Sequence, residues 1–125
     1  MKPFPFKILL SIALCGFLLL PPAKVFAETQ ETFVHFFVVP AVDASGTQNK
    51  AAVSDLKTYL LKTAGGYTIL GASAGGWVSH QGAVEKDNNI TFWVTAPRNF
   101  STELKRYLKK NFKMQEPYVV VWKAE

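Results

Sequence analysis

Apolar residues are spaced along this chain in distinct ways, and each spacing predicts a different element. Between Thr32 and Val39 the run Phe33-Val34-His35-Phe36-Phe37-Val38-Val39 is dense in β-branched and aromatic residues and stops at Pro40, which predicts a strand. Val42 to Asn49 is polar, with Asp43, Ser45 and Gly46, and reads as a loop. From Lys50 to Ala64 the apolar residues Val53, Leu56, Leu60 and Ala64 recur at three- and four-residue spacing, flanked by Tyr59 and Leu61. That period predicts an amphipathic helix, which Gly65-Gly66 ends.

Beyond the helix the pattern changes again. Tyr67-Thr68-Ile69-Leu70 opens a strand that runs unevenly through Gly71-Ala72-Ser73-Ala74-Gly75-Gly76 to Trp77-Val78-Ser79-His80, and glycines inside a strand pattern predict a bulge or a close backbone approach. Lys86-Asp87-Asn88-Asn89 reads as the hairpin turn, and Ile90 to Thr95 as the returning strand. Phe100, Leu104, Leu108 and Phe112 repeat every four residues, with Asn99 or Ser101 as the N-cap, and predict a second helix. Pro117 closes the connection to a last strand, Tyr118 to Trp122. The order β-α-β-β-α-β predicts an α+β fold: a ferredoxin-like sandwich of one antiparallel sheet with two helices on one face.

A sheet covered on one side should alternate apolar with polar residues. Here both sides are apolar. Phe33, Phe37 and Val39 alternate with Val34, Phe36 and Val38; Val119 and Val121 alternate with Tyr118, Val120 and Trp122; Trp93 falls opposite Ile90, Phe92 and Val94. Once helices cover one face, Phe36, Trp93, Tyr118 and Trp122, with Trp77 a candidate addition, form a left-over aromatic patch. Such a patch marks a ligand or interface surface. The expected occupant is a second copy of the chain in a homodimer, an envelope protein partner, or a small apolar ligand.

The start of the chain sets the compartment. Lys2 and Lys7 precede an apolar run from Ile8 to Leu20, and Val25-Phe26-Ala27 carries small residues where a signal peptidase cleaves, so residues 1–27 read as a cleaved signal peptide. The run is about 13 residues, short of the roughly 20 that cross a bilayer, and Pro21-Pro22 ends it, so no stable membrane span is expected after cleavage. Cys15 lies within that run, behind Leu14, where a lipoprotein signal wants a small residue. Residues 28–125 are then a single exported domain, periplasmic or secreted. Losing Lys2, Lys7 and Lys24 leaves eleven basic residues against nine acidic ones, a net charge of +2 in place of +5.

That domain contains no cysteine, which excludes disulfides, thiolate metal sites and a cysteine nucleophile. His35 and His80 have neither a His-x-His pairing nor a carboxylate cluster beside them, so no metal is expected. The glycine-rich run 65–76 lacks the lysine of a P-loop and follows a helix instead of preceding one, and no cofactor is expected. Lys105, Arg106, Lys109, Lys110 and Lys113 make the second helix basic, which fits a solvated face, and the glycine-phenylalanine pattern of RNA-recognition sheets is missing, so no nucleic acid is expected. Asn89-Ile90-Thr91 and Asn99-Phe100-Ser101 satisfy the glycosylation pattern, which has meaning only in a host that glycosylates it.

No catalytic motif can be read. His35, His80 and Glu85 are acid/base candidates by elimination, and they define the alternative function: a cofactor-free enzyme of the dimeric α+β barrel type, with a cavity lined by Trp93, Trp122 and His35 for a small organic substrate. The helix over Val53-Ser54-Asp55-Leu56, followed by Gly66-Tyr67-Thr68-Ile69-Leu70 and then Gly76-Trp77, resembles the central part of the small exported bacterial proteins grouped as the DUF3574 family. The resemblance spans about a quarter of the chain. It implies a small α+β domain without an established activity, and no catalytic residue carries over.

Overall fold

The structure, a computed structural model, describes residues 29–125, so the leader read over residues 1–27 lies outside the described residues. Six elements follow one another: β1 (Thr32–Pro40), α1 (Lys50–Ala64), β2 (Thr68–Val78), β3 (Val84–Ala96), α2 (Ser101–Phe112) and β4 (Val119–Ala124). The strands form one sheet in the order β2-β3-β1-β4, with every neighbouring pair antiparallel. Both helices lie on one face, α1 over β3 and α2 over β1 and β4. This is the ferredoxin-like α+β arrangement that the element order predicts.

The core forms where the helical and strand periods meet. Odd positions of β1 and even positions of β3 point at the helices, and Phe37, Val39, Phe92 and Val94 are fully buried there. Leu56 and Leu60 of α1, and Leu104 and Leu108 of α2, close over them with Phe100. The Phe37 and Phe92 rings stack with centroids 5.2 Å apart. Each of these side chains contributes roughly 1.5–3 kcal/mol by leaving water. Helix α1 stops where predicted: Gly65 adopts the left-handed conformation at φ 80°, and its N–H donates to the Leu61 carbonyl.

The hairpin differs from the sequence expectation. Lys86 to Asn89 is not a turn but part of β3, paired residue by residue with Gly76 to Ser73. The turn spans Ser79 to Ala83, closed by Ser79 N–H donating to the Ala83 carbonyl at 2.8 Å, with Gly82 at φ 80°. Since β1 pairs with β3 only between Asn89 and Ala96, the hairpin beyond Asn89 projects past the end of β1 as a two-stranded arm. Its polar residues face solvent on both sides, which is why a strand there shows no hydrophobic alternation. The bulge predicted from the glycines lies between Ile69 and Gly71, with Gly71 at φ 123°.

Candidate interaction face

The open face of the sheet is built by the other parity: even positions of β1 and β4 and odd positions of β3. Phe36 pairs with Trp93 on one side and Val120 on the other, while Val34 pairs with Thr95 and Trp122. The two indoles therefore approach each other across β1 on a diagonal. Their centroids are 5.1 Å apart with the planes at 82°, an edge-to-face pair. Val34 is only 4% exposed although no helix covers its face, which this indole roof explains. The roof itself faces water: Trp93 is 37% and Trp122 40% exposed.

Tyr118 stands at the entry to β4, exposed, beside the exposed Val120. Towards β2 the same face turns polar. Ser73 and Thr91 share a hydroxyl–hydroxyl hydrogen bond of 2.7 Å there, with Asn89 next in line. The apolar patch is centred on β3, β1 and β4, where it contains Phe36, Trp93 and Trp122 with Tyr118 at the entry to β4, while on β2 Leu70 is exposed at the bulge. Trp77 does not join it. It pairs with Glu85, eight residues along β3 from Trp93, which puts it roughly 26 Å away on the arm.

The acid/base candidates do not converge. His35 lies on the covered face, fully buried, with Nε2 accepting the Phe100 backbone N–H at 3.1 Å. It therefore cannot line a cavity with Trp93 and Trp122, which occupy the opposite side of the sheet. The parity of β1 already groups His35 with Phe37 and Val39, and that signal was available in the sequence. His80 is exposed in the hairpin turn and Glu85 is exposed on the arm. Val94, the partner of His35, is ten residues from Val84 at the base of that turn, a separation of roughly 30 Å.

Among the described residues no group of three histidine, cysteine, aspartate or glutamate side chains is placed to hold a metal ion. No helix among them is long and apolar enough to cross a membrane. A cleft of about 440 Å³ opens at the N-terminus of α1, lined by Val42, Asn49, Lys50, Val53, Lys57 and Ile90, and contains none of the predicted site residues.

No family model matches the chain, and no curated protein matches it in sequence. Solved structures do match in shape. CutA1 from Oryza sativa superposes with a TM-score of 0.54 at 17% identity, covering 76% of this chain and 81% of its own. The divalent cation tolerance protein CutA1 from Thermus thermophilus gives 0.55 at 17% identity, covering 73% and 82%. CutA from Xylella fastidiosa gives 0.57 at 13% identity, covering 75% and 84%. At these identities the likeness is one of fold, the ferredoxin-like sheet and helix pair.

Proposed function

We propose that this chain is an exported interaction domain that associates with a second copy of itself through the open face of its sheet. The observation that carries the proposal is the edge-to-face pair of Trp93 and Trp122, roofing Val34 on the side of the sheet that no helix covers. An exposed aromatic cluster backed by a rigid sheet resembles the anchor of a protein interface, where tryptophan and tyrosine supply most of the binding energy. A second copy suits this face because Val34, Phe36, Val38, Trp93, Thr95, Val120 and Trp122 are all uncharged. Such a surface can lie on itself about a two-fold axis without like-charge repulsion.

The edge of the sheet supports assembly as well. Strand β2, Thr68–Val78, is an edge strand with no charged residue and no proline, the devices that keep free edges from pairing. Native mass spectrometry of the processed protein, purified from the compartment to which it is exported, tests the reading. A dimer that dissociates on Trp122→Lys supports it. A monomer without bound mass overturns it, and an added small-molecule or foreign-protein mass assigns the face to that occupant instead. Sequencing the N-terminus of the same preparation tests export, which predicts a chain beginning at Glu28.

A further inference from the structure

His35 occupies the middle of β1, between Val94 of β3 and Val121 of β4, with no exposure to solvent. The hydrogen bond of its side chain runs to the start of α2. Phe100, the residue that opens the helix, donates its backbone N–H to Nε2 at 3.1 Å, and the two rings lie 4.1 Å apart. Phe100 has no capping side chain of its own, and the next amide, Ser101 N–H, donates to the Asn99 side-chain oxygen at 3.0 Å. The imidazole thus does from β1 what the back-reaching side chain of a capping box does within a helix.

An accepting Nε2 carries no proton, so the ring is neutral with its hydrogen on Nδ1. That Nδ1 finds no hydrogen-bond partner among the described residues. The ring is therefore held at one nitrogen only, and that nitrogen is the one a proton would take. Burial pushes the imidazole below the ordinary histidine range and the Arg98 charge acts with it, while the Val94 backbone, the Asn99 side chain and the Phe33 backbone pull the other way. Arg98, in the turn before α2, is itself paired with Glu103 of α2 at 2.8 Å. The neighbouring strand positions are the apolar Val94 and Val121, so neither offers a carboxylate to stabilise an imidazolium.

We propose that His35 is an acid-operated latch: protonation at Nε2 ejects the Phe100 N–H and releases the first turn of α2, with Phe100, from β1. Two donors would otherwise face each other at 3.1 Å, at the positive end of the helix dipole. The latch holds fully above the ordinary histidine pKa of about 6.5. It weakens as pH falls from there towards the lower folded-state value, and in that interval the opening equilibrium rises about tenfold per pH unit.

Hydrogen exchange of the Phe100 amide in the full chain, followed by NMR between pH 7.5 and 4.5 and corrected for intrinsic exchange, tests this. Protection is expected to drop as the pH falls below about 6.5, by up to about tenfold per unit until the lower folded-state value is reached, and to level off beyond it. In His35→Gln, whose amide oxygen can accept the same N–H, protection should be flat across the window. Equal acid loss in both proteins overturns the latch. Should the variant not fold, the imidazole nitrogen shifts of the wild type decide: a ring that titrates at its ordinary value while the Phe100 amide stays protected also overturns it.

Discussion

Both faces of this sheet carry large apolar side chains, in opposite circumstances. On one, Phe37, Val39, Phe92 and Val94 lie under two helices and see no water. On the other, Trp93 and Trp122 cover Val34 yet leave more than a third of their own surface exposed. Apolar residues alone therefore do not say what a face is for. The covered face closes within the chain, whereas the open one leaves its indoles in contact with water.

Breaking the covered face should have the largest effect. Phe92 stacks on Phe37 and is fully buried, so Phe92→Ala removes a ring and leaves a cavity that the surrounding strands cannot fill. The expected loss is about 3–5 kcal/mol, read as a lower denaturant midpoint with an unchanged slope. Next in size is the open face. Trp93→Lys or Trp122→Lys should weaken self-association by about 100-fold or more, as expected for a central aromatic hot spot, while the isolated protomer keeps its fold. Sedimentation equilibrium beside circular dichroism separates the two: a variant that unfolds, or one that still dimerises, breaks the contrast between the faces.

The same contrast marks what can be read from the residues. The limits of α1 are legible because Leu56 and Leu60 need a buried stripe and Gly65 supplies a left-handed stop. The aromatic patch is legible because a strand's side chains alternate strictly, so Phe36 and Trp93 have to share a face. The start of β3 is not, because Glu85 to Asn88 is held by backbone pairing to β2 and is exposed, and asparagine and aspartate there look like turn residues. Trp77 looks like a member of the patch for the same reason: a turn at 86–89 would shorten the hairpin and draw it closer. His35 looks chemical because histidine often is, although its parity with Phe37 assigns it to the core. Its bond to Phe100, 65 residues away, has no local signature at all.

The smallest effect sharpens the comparison within the open face. Thr91 is almost buried, and its hydroxyl pairs with that of Ser73 at 2.7 Å, on the polar side of the patch. Thr91→Val keeps the shape and removes the hydroxyl. Ser73 is only partly buried, so water can replace the lost partner, and the cost should be about 0.5–1 kcal/mol in thermal or denaturant unfolding. If the interface is limited to β3, β1 and β4 around the indoles, the dimerisation constant should not change. A gain in association would mean that the contact reaches across the hydroxyl pair to β2, and the boundary between the apolar and polar halves of the face would have to move toward the sheet's edge.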